Sequence, residues 1–194
     1  LHPVLHRIKL LDPAQSLNFD GLEKQDANVL LERRLVSPAF LAIEQPKYLI
    51  SDPQESLSVM VNEEDHLRIQ SVQSGLGLHE AWRLISRLDD EISESVEYAF
   101  NEEFGYLTAC PTNAGTGMRA SIQVHLPGLV LTGGLESIIE ELSPSEIAVR
   151  GFYGEGTEAM GNIFQISNQL TLGRTETAIL NRLETVSYTH LTLP

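Results

Sequence analysis

The spacing of apolar residues along the chain predicts a mixture of helices and strands. Apolar residues recur at three- and four-residue steps among charges, which predicts helices at 22–35, 77–99 and 175–183. Short clusters of extended-favouring residues predict strands at 47–50, 57–62, 147–150 and 164–168. Residues 121–130 are compatible with a strand or a helix. These elements predict an α+β fold, with a mainly antiparallel β-sheet flanked by α-helices.

Two details of this pattern are local predictions. A Ser51-Asp52-Pro53 turn separates the first two strands, which makes them antiparallel neighbours. The helix at 22–35 is expected to end before Pro38, because the residue preceding a proline disfavours the helical conformation. Trp82, on the apolar stripe of the long helix, is expected in the core.

Composition limits the classes of function. The 194 residues are 42% hydrophobic, enough for a domain with a real core. The net charge of −14 argues against nucleic-acid binding, which requires clustered Lys and Arg. One cysteine cannot form an internal disulfide, and the sequence shows no secretory signal or apolar run of about 18 residues. We therefore expect a cytoplasmic protein with no membrane contact.

The two ends of the sequence suggest that it is a fragment. It begins at Leu1 rather than at a methionine, so residues 1–186 are expected to form one domain truncated at its N-terminus. The segment 187–194 breaks the helical pattern and is expected to be a non-native tail.

Three polar clusters are candidates for chemistry. Residues 62–68 place three acids, a histidine and an arginine directly after an apolar strand. Residues 110–121 combine Cys110, a glycine-rich turn and Arg119, a pattern that can bring backbone N–H groups and a cation to an anion. Residues 150–158 pair Arg150 with Glu155 through a flexible loop.

Each cluster also has an ordinary structural explanation. The first could be a solvated turn, Cys110 could be an inert buried thiol, and the third could be a glycine-rich hairpin with surface charges. The sequence contains no Walker A motif, dinucleotide fingerprint, Ser-His-Asp signature or zinc-ligand spacing. A nucleotide site in this chain must therefore be of another design.

In this order and spacing, the three clusters resemble those of the guanidino (phosphagen) kinase family. The resemblance extends from about residue 5 to residue 186 and implies the catalytic fold of that family. It also implies transfer of the γ-phosphoryl group of ATP to a guanidinium, a reaction that depends on alignment and charge neutralisation. Mg²⁺, held mainly through the nucleotide phosphates, is the implied metal.

The resemblance implies roles for particular residues. Arg68, Arg119 and Arg150 match arginines that hold the ATP phosphates, and Arg34 occupies a position where related sequences tend to have a histidine near the nucleotide. The nucleotide is expected to be lined by the backbone of two further segments, Ala120, Ser121, Ile122 and Gln123, and Gly151, Phe152, Tyr153 and Gly154.

Glu64 and Glu155 match the two carboxylates that clamp the acceptor guanidinium, orient its attacking nitrogen and help to remove its proton. Cys110 matches a thiol beside that guanidinium, with a modulating role. Asp65 and His66 are expected to hold the loop rather than to act on substrate. No metal is expected to bind protein side chains directly.

Residues 150–156 and 161–168 further resemble the branch of bacterial protein-arginine kinases. That branch implies protein substrates with exposed arginine, an activator protein, a Clp-type protease partner and a homodimer of the full-length protein. A kinase for free arginine or another small guanidino compound is one alternative, and a non-catalytic binding module is another. The family's N-terminal arginine segment has no match before Arg34, which predicts poor activity of this chain by itself.

Overall fold

The computed structural model describes residues 8–142, 146–151 and 161–188. It divides the chain into two units, Leu1–Tyr98 and Ala99–Pro194. All strand pairings in these described ranges are antiparallel, which agrees with the predicted α+β class.

The first unit contains a four-stranded sheet in the order β1-β2-β3-β4. A 3-10 turn at Lys9–Leu11 precedes its elements, which are β1 Gln15–Asn18, α1 Lys24–Glu32, α2 Pro38–Ala42, β2 Tyr48–Ser51, β3 Leu57–Val61, β4 Leu67–Ser71 and α3 Leu78–Ser93.

Both faces of the central strands in this sheet are covered. Ile50 and Val59 pack in a cluster with Leu88 of α3, while Leu49 and Met60 pack in a second cluster with Phe40 of α2. Since successive side chains of a strand point to opposite faces, β2 and β3 must be apolar at almost every position. This explains why their sequences are continuous apolar runs rather than alternating ones.

The second unit contains the hairpin β5-β6 and a three-stranded sheet in the order β7-β9-β8. Its elements are β5 Phe100–Asn101, β6 Gly105–Tyr106, a 3-10 turn at Pro111–Asn113, β7 Ser121–His125, α4 Pro127–Thr132, α5 Leu135–Leu142, β8 Ile147–Arg150, β9 Ile163–Asn168 and α6 Glu176–Val186. Helix α6 packs on β9, the central strand, and α5 packs on β8.

Most predicted elements are confirmed, with shifted ends. The four predicted strands correspond to β2, β3, β8 and β9, and residues 121–130 form a strand followed by the start of α4. The long helix ends at Ser93 rather than near residue 99, and Trp82 in it is half-buried rather than fully buried. Strands β1, β4, β5 and β6 and helices α2 and α5 were not predicted.

The first predicted helix was too long at its C-terminal end. Helix α1 ends at Glu32, and Arg34 has a φ of 66°, which is outside the helical region. Leu35 and Val36 then turn into the core, and Pro38 occupies the first turn of α2, with the Ser37 hydroxyl accepting the Phe40 N–H. Pro38 therefore begins a second helix, because its missing N–H costs nothing there.

The expected tail begins at the end of α6. Ser187 is buried, and its hydroxyl donates to the Leu183 carbonyl oxygen. Residues 189–194 lie outside the described ranges, so the non-native origin of 187–194 stays a prediction.

The turn between β3 and β4 is organised by the Glu63 carboxylate. Its Oε1 accepts from the Ser37 hydroxyl at 2.6 Å and from Arg68 Nη1 at 2.9 Å, and its Oε2 accepts from the Glu64 N–H at 2.7 Å. Only 5% of the Glu63 side chain is exposed. One carboxylate therefore links the start of α2, the turn and the start of β4.

These contacts determine the ionisation of Glu63. Burial by itself raises the pKa of its carboxyl, but the hydrogen bonds from Ser37 and the Glu64 N–H and the charge of Arg68 outweigh it. The pKa falls below the ordinary value of 4.5.

Glycines fix the segment that follows the hairpin β5-β6. Gly105 and Gly115 have φ of 72° and 102°, and Tyr106 and Gly115 exchange backbone hydrogen bonds of 2.9 and 3.1 Å. A Cβ on Gly105 would lie 2.6 Å from the Gly115 carbonyl oxygen, and one on Gly115 would lie 2.7 Å from Leu172 Cα. The hairpin, this segment and Leu172 are thus packed backbone against backbone.

The ionised Glu63 should stabilise the fold above about pH 4.5, with the contribution lost as the pH falls through the folded-state value. We expect Glu63→Gln to lower the free energy of unfolding at pH 7 by about 1–3 kcal/mol. Its stability should also fall less steeply below pH 4.5 than that of the unaltered chain. Denaturant unfolding at a series of pH values measures both effects, with the exposed Glu44→Gln as control. Equal acid slopes for Glu63→Gln and the unaltered chain would contradict this account.

Gly115→Ala should destabilise the chain by about 1–3 kcal/mol more than Gly133→Ala does. Both glycines have positive φ, but a Cβ on Gly133 would meet no atom within 4 Å, so the difference reports the collision with Leu172 together with the larger φ of Gly115. Thermal or denaturant unfolding gives the comparison. Equal losses for the two variants would show that the close packing of this segment is unimportant.

Candidate active site

In the first unit, two of the predicted residues, Glu64 and Arg68, are hydrogen-bonded to the Glu63 carboxylate. Arg68 is the second residue of β4, and its guanidinium is paired with Glu63 while 48% of the side chain remains exposed. Glu64 lies in the turn with an exposed side chain, and its backbone N–H is held by Glu63. This turn therefore presents a fixed cation and a carboxylate on a short, rigid hairpin.

The backbone of Arg34 lies against the sheet of the first unit, at β4. Its carbonyl oxygen accepts from Gln70 Nε2 at 2.5 Å, and Gln70 follows Arg68 by two residues on β4. Since alternate residues of a strand share a face, Gln70 and Arg68 both point towards the 34–37 segment. The Arg34 backbone and the Arg68 side chain thus lie on the same side of this sheet, and Glu64 lies in the turn that precedes β4.

Cys110 lies in the second unit, at the start of the 3-10 turn. Its thiol is half-buried and lies 3.0 Å from the Thr112 hydroxyl, and its carbonyl oxygen accepts from the Thr108 hydroxyl at 2.7 Å. The buried Thr171 hydroxyl lies 2.6 Å from the Ala114 carbonyl oxygen and 3.0 Å from that of Thr112. Contacts on both sides therefore fix the backbone that carries the thiol.

The sheet β7-β9-β8 has one polar and one apolar face. Residues that pair directly across antiparallel strands lie on the same face. The register pairs Ser121 with Ser167 and Gln123 with Gln165 on one side of β9, and Arg150 with Gln165 on the other. The residues between them form the opposite face, which is apolar except for Asn168 at its end and otherwise comprises Ile122, Val124, Ile147, Val149, Phe164 and Ile166.

The predicted nucleotide-lining residues are divided between these faces. Ser121 and Gln123 are exposed on the polar face, together with the half-buried Arg150, whereas Ile122 lies on the apolar face and contributes only backbone to the polar side. Ala120 is buried directly before β7.

A hydrogen bond orients the guanidinium of Arg150. Its Nη1 donates to the Ser167 hydroxyl at 3.1 Å, and Ser167 is completely buried in the central strand. Arg150 therefore leans across the polar face of the sheet towards β9.

The backbone around Arg119 is held by Asn168, which is 5% exposed. The Asn168 Oδ1 accepts the Ala120 N–H at 2.8 Å, and its Nδ2 donates to the Met118 and Leu170 carbonyl oxygens at 3.2 and 3.1 Å. The Arg119 side chain itself is exposed.

Four of the predicted site residues lie outside the described ranges. Gly151 is buried at the end of β8, but Phe152, Tyr153, Gly154 and Glu155 lie outside the described residues. The predicted residues of the first unit are thus Arg34, Glu64 and Arg68, and those of the second unit that the structure describes are Cys110, Arg119, Ala120, Ser121, Ile122, Gln123, Arg150 and Gly151.

A separate cavity of about 230 Å³ lies beside the hairpin β5-β6. Its lining includes Phe100, Phe104 and Leu172, which are also among the exposed large apolar residues. None of the predicted site residues lines it.

Neither a metal-ligand cluster nor a membrane-spanning helix is present among the described residues. Residues 8–142, 146–151 and 161–188 hold no cluster of three or more His, Cys, Asp and Glu side chains arranged to bind a metal ion. Among the helices of the same ranges, none combines the length and the apolar character needed to cross a bilayer.

Sequence reasoning missed the residues that support the site. Glu63 stood in the predicted cluster, but nothing in the sequence distinguished its inward side chain from that of Glu64. Ser37, Gln70, Ser167 and Asn168 were not selected, because each acts through a partner far away in the chain. The only local signal was the polar pair at the end of the apolar β9.

Comparison with known proteins identifies the family. Residues 4–191 match the model of the ATP:guanido phosphotransferase C-terminal catalytic domain. A protein-arginine kinase of Pelotomaculum thermopropionicum is 46% identical over 92% of this chain and 50% of the relative. One from Moorella thermoacetica is 51% identical over 84% of this chain and 46% of the relative. The chain thus spans about half the length of the curated relatives it matches.

Solved structures agree in fold. The duplicated taurocyamine kinase from Schistosoma mansoni, with bound transition state analog components, superimposes with a TM-score of 0.80 at 27% identity. The match covers 95% of this chain and 27% of that one. Lombricine kinase has a TM-score of 0.77 at 22% identity over 98% of this chain and 57% of its own. The chain belongs to the ATP:guanido phosphotransferase family and carries the catalytic domain that defines it.

Proposed function

We propose that this chain is the catalytic core of a protein-arginine kinase, which transfers the γ-phosphoryl group of ATP to the guanidinium of arginine residues in proteins. The main support for phosphoryl transfer is the polar face of the β7-β9-β8 sheet. On this face the half-buried Arg150 is oriented by the buried Ser167 hydroxyl. The substrate class rests on the names of relatives that are 46–51% identical to this chain.

The residues of the polar face suit a nucleotide. Arginine offers paired N–H donors to phosphate oxygens, and a buried hydrogen bond reduces the freedom that Arg150 would lose on binding. In the proposal, Arg34, Arg68, Arg119 and Arg150 hold the phosphates. The remaining lining residues, Ala120, Ser121, Ile122, Gln123, Gly151, Phe152, Tyr153 and Gly154, contact the nucleotide mainly through their backbone.

Mg²⁺, held by phosphate oxygens, would offset the charge that these arginines leave. Because the chain carries a net charge of −14, the local cations are needed to make an anion site in an otherwise acidic protein.

The proposed transfer is direct and forms no covalent bond between the enzyme and the phosphoryl group. A guanidinium nitrogen forms a bond to the γ-phosphorus as the bond from that phosphorus to the β,γ-bridging oxygen breaks, and ADP leaves. The nitrogen loses a proton, which Glu64 or Glu155 accepts. Cys110, beside the acceptor cation, would modulate this step rather than form a bond.

The proposal extends to partners through the same family likeness. We infer protein substrates with exposed arginine, a cytoplasmic location, an activator protein, a Clp-type protease that receives the products, and a homodimer of the full-length protein.

A small guanidino compound is the second candidate acceptor. The likeness to the taurocyamine kinase favours it, since 95% of this chain superimposes on that structure. The identity of 27% to that enzyme is lower than the 46–51% to the protein-arginine kinases, so we place the small-molecule reaction second.

Labelled ATP tests the acceptor. The chain, alone and with the flanking segments of the Moorella thermoacetica relative fused to it, is given an unfolded arginine-rich protein and, separately, free arginine. Acid-labile label on the protein alone is the expected result. Label on free arginine would move the enzyme to the small-molecule kinases. ATP binding by the fused form without transfer to either acceptor would favour a non-catalytic binding module.

Glu64→Gln and Glu155→Gln should each lower the rate of transfer by about a hundredfold or more, since each removes a carboxylate that orients and deprotonates the acceptor. ATP affinity should change by no more than about twofold, the usual effect of a substitution that removes no contact with the ligand, because neither residue is assigned to the nucleotide. The exposed Glu44→Gln provides the control for loss of a negative charge. Unchanged turnover in either clamp variant would refute its assignment.

A further inference from the structure

We infer that Ser167 and Asn168, at the end of β9, are positioning residues that orient the phosphate-binding arginines Arg150 and Arg119. This inference rests on the proposed function, because it assigns a purpose to contacts with arginines that the proposal gives to ATP. Neither residue touches the reacting atoms in this scheme; each acts through its arginine.

Ser167 has the position required to fix a guanidinium. It is completely buried in the central strand, with backbone ladders to β7 on one side and β8 on the other, so its hydroxyl has little freedom to move. Its direct neighbours across the two ladders are the small residues Ser121 and Ala148. These leave space on the polar face for the Arg150 side chain to reach the Ser167 hydroxyl, 3.1 Å from Nη1.

The buried Ser167 hydroxyl has a cationic hydrogen-bond partner. A buried hydroxyl is unfavourable unless it is hydrogen-bonded, and the partner here is a cationic donor, which gives a stronger bond than a neutral one. An arginine side chain has many rotamers, and a fixed acceptor selects those in which its remaining donors point across the polar face.

Asn168 acts on Arg119 through the backbone. Its amide makes hydrogen bonds on both sides of Arg119, to the Met118 carbonyl oxygen and to the Ala120 N–H. The Asn168 backbone N–H donates to the Ala120 carbonyl oxygen as well, at 3.3 Å. The Cα of Arg119 is therefore held relative to β9, while its side chain remains exposed to meet a ligand.

Because Ser167 and Asn168 are adjacent in the chain, one rigid dipeptide fixes both arginines in a common frame. Phosphoryl transfer needs its charge-stabilising groups aligned before the reaction, since reorientation during the step raises the barrier. A role in positioning thus predicts a defect that depends on the number of phosphates in the ligand, whereas a role in folding alone predicts none.

The test compares ATP with AMP. Dissociation constants of the chain for both nucleotides are measured by calorimetry, together with thermal unfolding, for Ser167→Ala, Ser167→Thr and Asn168→Asp. Ser167→Ala removes one oxygen from an almost unchanged volume, so it should fold. Asn168→Asp keeps the acceptor for the Ala120 N–H but loses both donors. Ser187→Ala is the matched control, since Ser187 is equally buried but bonds to Leu183 in α6.

We expect Ser167→Ala to weaken ATP binding about threefold to tenfold, the range for loss of one ordinary hydrogen bond, with AMP binding nearly unchanged. Ser167→Thr, which keeps the hydroxyl, should retain most of the ATP affinity. Asn168→Asp should weaken ATP binding in the same selective way, and Ser187→Ala should alter neither constant.

Two failures are distinguishable. An unaltered chain with no preference for ATP over AMP would refute the proposed phosphate site, and the positioning role with it. A clear preference for ATP that Ser167→Ala and Asn168→Asp both retain would refute the positioning role alone. The positioning role would also be refuted if these variants lost ATP and AMP affinity equally, in proportion to a fall in the melting temperature.

Discussion

The register of β9 against its two neighbours is the constraint on which the described site of the second unit depends. It places Ser167, Gln165 and Arg150 on one face of the sheet, while Ile166 packs into the core on the other. A slip of one residue would exchange these faces and bury the polar set. The completely buried Ile166 therefore does more than stabilise the fold, because its burial also determines which residues a ligand can reach.

In the first unit, one buried carboxylate has a comparable role. Glu63 joins α2, the hairpin turn and β4 through bonds to Ser37, the Glu64 N–H and Arg68. It therefore orients a cation that the proposal assigns to phosphate, and the neighbouring Glu64 that the proposal assigns to the acceptor. In both units the charged residues that the structure describes and the proposal assigns to ligands are exposed or half-buried, and they are held by buried side chains such as those of Glu63 and Ser167.

The sequence predicted much of the fold, because the relevant signals are local. The strands at 57–62 and 147–150 are apolar runs bounded by turns, and the long helix shows a clear stripe. The first helix was misjudged, since the left-handed Arg34 and the inward Leu35 are required by tertiary packing that no local pattern records. Family motifs predicted the arginines, but their roles and that of Cys110 remain proposals.

The residues that orient the proposed site could not be predicted from the sequence, because their hydrogen bonds join distant parts of the chain. Asn168 bonds to segments near Met118, and Glu63 to Ser37, so each contact joins residues that only the folded chain brings together. A serine or asparagine at the end of a strand is common, and its chemistry becomes specific only when its partner is known. Such residues are visible once the hydrogen bonds of the buried polar groups are traced.

The polar face of β7-β9-β8 is proposed to bind the phosphates of ATP. The most direct measurement is an NMR titration of the isotopically labelled chain with a non-hydrolysable ATP analogue and Mg²⁺. The largest amide shifts are expected at residues 119–123, 150–154 and 167–168. Shifts concentrated instead around the cavity lined by Phe100, Phe104 and Leu172, or spread without focus, would contradict it.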